Sequence, residues 1–352
     1  MSEVSSPRKL WLFSKWIDLT VFLGSAVLAT LALVVGSHLG LLAGEDTDAP
    51  QWTWVTAILL IDVAHVWATG FRVYFIPSEL RRRPLLYGSV PVLSFVVGVA
   101  LYSEGSLVFW RVLAYLAVFH FVRQQYGWVA LYRARRGERD RIGKWIDGCA
   151  IDRSMLYPLV WWHSHLPRRY NWFLPGDFVG LPEIVSQILA PMFWISLALY
   201  VARSISCWSQ GRGNPGKDIV VLTTAWCWYV GIVVFDSDYA FTVTNVIIHG
   251  VPYFALIWWY RAREQGANSP AGRFRWLFLM LSVVWILAFI EEMLWDRGFT
   301  QKRSLLFGEG WNLEEIQFLL VPLLAVPQLT HYILDGFIWR RKSNPGLAAL
   351  FE

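Results

Sequence analysis

Cysteine and charge are both scarce in this 352-residue chain. Cys149, Cys207 and Cys227 are widely spaced and form no CxxC pair, which indicates neither a disulfide framework nor a cysteine-built metal site. Charged residues make up only 16% of the chain against 56% hydrophobic residues, and there is no low-complexity tract. Once the apolar stretches are set aside, no soluble domain of useful size remains, so residues 1–352 read as a single integral membrane domain.

The chain is dominated by apolar runs of about twenty residues separated by short charged loops, the length a helix needs to cross roughly 30 Å of hydrocarbon. The predicted fold class is therefore all-α, a polytopic transmembrane bundle. Spans are expected at about 17–43, 52–75, 85–103, 107–132, 145–163, 184–207, 218–235, 239–261, 274–295 and 316–339, about ten in all. The fifth is interrupted by Asp147, Asp152 and Arg153, so a re-entrant or interfacial segment is the alternative there. The apolar run from Ile17 to Leu42 is too long for a signal-peptide core and reads as a retained first span.

The net charge of +5 does not argue for nucleic acid, because Lys and Arg sit mostly in loops that flank spans. Arg8/Lys9/Lys15, Arg81 to Arg83, Arg133 to Lys144, Arg212/Lys217, Arg261 to Arg275 and Arg340-Arg341-Lys342 fall on one side. Glu45-Asp46-Thr47-Asp48, Ser103-Glu104-Gly105 and Asp236-Ser237-Asp238 fall on the other. Both termini are then cytoplasmic, in a bacterial inner membrane, although the basic outer loops Pro167-Arg168-Arg169 and Arg297 to Arg303 break the trend. The outer segment from Leu166 to Glu183, with Trp172 and Phe173 among prolines and glycines, is expected along the interface as an aromatic anchor or lid. The run Tyr-Arg-Ala-Arg closes both the His120 and His249 stretches, which fits a duplication or a shared demand for interfacial Tyr and Arg.

Single histidines stand in four of these stretches: His65, His120, His249 and His331. All four spans run from the outer to the cytoplasmic side. The histidines lie about 13, 13, 10 and 15 residues in, roughly 15–23 Å below the outer edge. Residues three or four apart share a helix face, which sets Asp62 beside His65, brackets His249 with Asn245 and Tyr253, and places Asp335 one turn from His331. Ionisable groups at such depth usually face a bundle interior or a wet cavity. Imidazole and carboxylate without thiolate suit iron, zinc or manganese, and sites built from several helices of a bundle are a known solution for non-haem iron. Four imidazoles could hold one ion, or two with the carboxylates.

A histidine can instead be interhelical glue, worth on average about 0.6 kcal/mol, and His38, His163 and His165 are expected to be interfacial. Arg72 is expected to snorkel to the inner headgroups, Arg123 to pair with Asp335 or Asp152 or else clamp an anionic substrate, and Glu291-Glu292 to form a solvated helix end. Gly250, Pro252, Pro322 and Pro327 are expected to loosen the helices around the chamber, and most tryptophans to face lipid.

The segments Asp62–Thr69, His120–Gly127 and Thr330–Gly336 resemble those of uncharacterised bacterial polytopic membrane proteins. The scatter of single histidines over several helices is similar in general plan to the Brp/Blh-type membrane carotenoid dioxygenases, which implies non-haem iron and a polyene-like substrate. The HxxxH and HxxHH boxes of membrane desaturases are absent. The reading that follows is a membrane oxidoreductase with non-haem iron acting on an apolar lipid or isoprenoid, drawing on an electron donor. His65, His120, His249 and His331 are ligands, Asp62 and Asp335 are ligands or orienting groups, and Asn245, Tyr253 and Tyr126 donate hydrogen bonds near the activated oxygen, with Arg123 alongside. The alternatives are a proton- or ion-coupled transporter using the same His/Asp set and a scaffold.

Overall fold

A computed structural model describes residues 10–42, 49–267, 269–340 and 344. Arg8, Lys9, the acidic run at 45–48, Arg341 and Lys342 lie outside the described residues. Among those described, the chain is helical and has no strand. Ten long helices follow one another: α1 (Lys15–His38), α2 (Gln51–Phe71), α3 (Pro84–Ser103), α4 (Ser106–Arg136), α5 (Arg141–Ser164), α6 (Glu183–Ser209), α7 (Pro215–Val234), α8 (Asp238–Glu264), α9 (Pro270–Thr300) and α10 (Glu314–Ile338). Nine of them are long and apolar enough to cross a membrane, which marks a membrane protein. The exception is α5, the doubtful fifth span. It is a continuous 24-residue helix, long enough to cross, but it carries Lys144, Asp147, Asp152 and Arg153.

Burial sorts the helices into a centre and a rim. The apolar stretch of α8 is 94% buried, whereas those of α3, α6 and α9 are 22% buried. α8 contacts α1, α2, α4 and α9, so it is the axis about which the bundle is arranged. Residues such as Leu28, Val96, Ile195 and Phe278 on the outer helices are exposed, as expected of surface that meets lipid tails. Tryptophan does not follow the expected lipid-facing pattern throughout: Trp162 and Trp228 are fully buried, and Trp110, Trp128 and Trp259 also belong to the interior.

The charges of α5 are explained by what surrounds them. Asp147 is 0% exposed and receives Arg133 of α4, Lys217 of α7 at 2.9 Å and Arg203 of α6 at 3.3 Å. Lys217 also reaches Glu138 at 2.7 Å, which accepts from Asn214 as well. One buried cluster thus ties four helices together at a single end. Removing one partner of such a pair leaves an uncompensated charge, which costs about 3–5 kcal/mol. Lys217→Met and Asp147→Asn are therefore expected to lower the unfolding free energy in detergent by that order, and a melt indistinguishable from wild type would show that the cluster holds nothing.

Other expectations are corrected by burial. Arg72 does not snorkel to a headgroup region. It is 2% exposed, 3.3 Å from Glu79, with its guanidinium 4.7 Å from the Tyr260 ring. Glu291 is not at a solvated helix end, since it is buried and accepts from Trp67 Nε1 at 2.6 Å. His163 is also buried, between Tyr115 and the Leu159 carbonyl. In the segment between α5 and α6, Tyr170, Trp172 and Phe178 pack into an aromatic cluster with Trp162 and Phe241, and Arg168 fastens it to Asp236 at 2.8 Å and to the Ile232 and Phe235 carbonyls.

Candidate metal centre

Three local features bring the histidine helices together. The first is Gly250 on α8. A Cβ there would sit 2.5 Å from the Ile61 side chain and 3.3 Å from the Ile61 carbonyl, so glycine permits α8 to approach α2 closely beside His249 and His65. It serves contact and not the loosening expected from sequence. The second is Pro252, whose missing N–H leaves the Ile248 carbonyl without its intrahelical partner. Gln125 of α4 reaches that carbonyl at 3.4 Å and Gln124 reaches the His249 carbonyl at 2.8 Å, which couples α4 to α8 at the level of the site. The third is a stretch of widened i to i+5 turns just before two of the histidines, at Trp54–Val63 and Thr242–Val246. Such widened turns change which face a following side chain presents and are frequent at functional sites.

The four imidazoles meet as the shared depth suggested. His65 Nε2 lies 3.2 Å from His249 Nε2, and His331 Nε2 lies 3.1 Å from His120 Nε2. The two pairs are interleaved, with ring centroids 4.9 Å apart for His65 and His331 and 5.1 Å apart for His120 and His249. None of the four is more than 4% exposed. Nitrogen ligands at about 2.0–2.1 Å from a tetrahedral ion lie about 3.3 Å from one another, so each of these two Nε2 separations is that of a ligand pair on one ion. His65, His120 and His249 offer atoms that lie within 4.8 Å of one another, as do His120, His331 and Asp335.

The other edge of each ring decides what the Nε2 atoms can do. Tyr253 OH donates to Asp335 Oδ1 at 2.8 Å, so toward Thr69, 2.9 Å away, it can only accept. The Thr69 proton is thereby used, and Thr69 Oγ1 accepts from His331 Nδ1 at 2.7 Å. His331 thus carries its proton on Nδ1 and its lone pair on Nε2, facing the centre. Asp62 stands 3.7 Å from His65 Nδ1 and Asp335 stands 4.0 Å from His120 Nδ1, beyond hydrogen-bond range. His331 therefore has a hydrogen-bonded acceptor behind its ring, whereas the buried Nδ1 atoms of His65 and His249 have none. Of the two roles expected for Asp62 and Asp335, Asp335 offers an oxygen to a ligand group with His120 and His331, while Asp62 lies on the Nδ1 side of His65.

The remaining expected residues divide. Tyr253 is in the site, 1% exposed, its ring 5.1 Å from that of His331. Asn245 is fully buried one turn from His249, donates to the Phe241 carbonyl at 3.1 Å, and leaves its Oδ1 without a partner, as His249 leaves its Nδ1. Tyr126 does not join the cluster. It lies six residues from His120, on another face of α4, where it borders Gly148 and the Asp147 end of the bundle. Arg123 has no carboxylate within ion-pair range among the described residues and stacks on Tyr126 at 4.9 Å.

Sequence reading passed over Thr69, Phe121, Tyr332 and Trp339. Phe121 lies flat on His249, with centroids 3.6 Å apart, Tyr332 stacks on His120 at 4.7 Å, and Trp339 Nε1 donates to Asp335 at 3.2 Å. Thr69 alone had a usable signal, a polar residue one turn beyond His65 on the same face. No protein-family model matches the chain, and no curated protein or solved structure is found to be similar to it.

A side chain at position 250 tests the assembly. Gly250→Val should force α2 and α8 apart and separate His65 from His249, costing about 1–3 kcal/mol as overpacking does. Unchanged thermal stability together with unchanged metal content would remove Gly250 from this role.

Proposed function

We propose that the chain is a membrane-embedded metalloenzyme, an oxidoreductase whose His65, His120, His249 and His331 hold a non-haem metal, iron first, that serves oxidation of an apolar lipid or isoprenoid. One observation carries the reading: buried imidazole Nε2 atoms from four helices meet in two pairs at ligand-to-ligand spacing, and the His331 lone pair faces inward because Thr69 accepts from its Nδ1. Buried Nε2 atoms this close share either a proton or a cation, and four of them gathered from four helices favour the cation. A donor set of imidazole and carboxylate without thiolate suits iron better than the thiolate-rich structural zinc sites, and manganese remains compatible. The scatter of single histidines resembles the plan of the Brp/Blh-type carotenoid dioxygenases.

The protein's own residues would bind, orient and exclude water. Thr69, backed by Tyr253 and Asp335, sets the His331 tautomer and raises its basicity. The aromatic outer segment closes one end, since Trp172 packs on Phe121 at 5.3 Å and Phe121 covers His249. A cavity of about 420 Å³ reaches His120, Tyr253 and Asp335 from the other side, which leaves the centre one open face of the kind catalytic sites keep. An apolar substrate reaches that face from the bilayer, and turnover draws on an external electron donor.

Elemental analysis of detergent-purified protein tests the proposal. About one iron per chain is expected, lost in His65→Ala and His331→Ala. Thr69→Val, which removes an orienting contact and no ligand, should weaken metal affinity about 10–100-fold. Wild-type protein free of stoichiometric metal would leave transport or scaffolding as the reading for these histidines.

A further inference from the structure

The cavity beside the centre has a composition that narrows its occupant. It lies between α4, α8 and α10 and is lined by His120, Arg123, Trp128, Leu131 and Leu256, with Gly127 and Gly336 in its walls. A Cβ at either glycine would meet nothing within 4 Å, so both face open space. Its volume of about 420 Å³ falls within the range of roughly 300–1,000 Å³ typical of small-molecule sites. Most of its wall is apolar, which calls for an apolar chain.

Besides Arg340 and Asp335, the latter taken up by Tyr253 and Trp339, the charge that breaks that pattern is Arg123. Its guanidinium is exposed one helical turn from His120, where an unpaired charge is expensive in an apolar surround. Its contacts are the Tyr126 ring at 4.9 Å and the longer-range field of Asp152, which Asp152 shares with Arg153. A planar guanidinium with donors to spare is the side chain best matched to a carboxylate or phosphate. Gln124, anchored through its Nε2 to the His249 carbonyl, has its buried Oε1 without a partner on the same wall.

We propose that this cavity binds an amphipathic substrate with one apolar chain and an anionic head, a long-chain carboxylate or alkyl phosphate, whose head rests on Arg123 and whose chain lies along Trp128, Leu131 and Leu256. The inference rests on the metalloenzyme reading for what happens to the molecule, but not for its binding. It differs from a plain hydrocarbon substrate in requiring a charge.

Equilibrium binding to the full chain in neutral detergent, using radiolabelled hexadecanoate, hexadecyl phosphate and hexadecanol, tests it. At least one anion should bind about tenfold more tightly than the alcohol, and Arg123→Gln should erase that preference while leaving alcohol binding unchanged. Whichever anion is preferred identifies the head as carboxylate or phosphate. Gly127→Leu, which fills the cavity, should weaken all three. The proposal is overturned if the alcohol binds as well as both anions, if the preference survives Arg123→Gln, or if Gly127→Leu changes nothing. Metal content is measured on the same samples. Anion preference in protein that holds no metal would keep this inference and discard the oxidoreductase. Stoichiometric metal without anion preference would do the reverse.

Discussion

A neutral imidazole has one N–H and one lone pair, and the interior of this bundle is organised by where those lone pairs point. Asp335, Tyr253 and Thr69 form a chain that leaves the His331 lone pair facing inward, toward His120 Nε2. Apolar packing alone would not gather four imidazoles and two carboxylates in a place where water cannot solvate them.

The surrounding structure makes that convergence possible. α8, the most buried helix, holds His249 at the axis, and the glycine next to it lets α2 come close. α4 is bound to α8 through two glutamines, one of which uses the carbonyl freed by Pro252, so an irregularity in one helix becomes an attachment point for its neighbour. Widened turns precede His65 and His249, and others occur in α1, α7 and α9. The aromatic cap and the cavity then give the two ends of the centre different character, one sealed and one open.

Much of this was legible in the sequence. Run length located all ten helices to within a few residues, and helical spacing paired Asp62 with His65 and Asp335 with His331. What spacing within one helix cannot give is which helix lies opposite. Tyr126 shares a helix with His120 but faces the Asp147 cluster, while Thr69 and Tyr332 matter only because α2 and α10 are neighbours of α8 and α4 in space. Burial of Arg72 and Glu291 escaped for the same reason, since a charge near a helix end looks solvated until its partner on another helix is known. Gly250 was misread because a glycine that permits contact and one that permits bending look alike in a sequence.

The buried charges at the far end of the bundle impose an order on assembly. Asp147 cannot settle in apolar surroundings alone, and of the cations that meet it, Arg133 is synthesised shortly before it but Lys217 follows 70 residues later. The full set of partners for Asp147 is therefore present only once α7 has been made, and the charge balance of this end needs no residue of α8, α9 or α10.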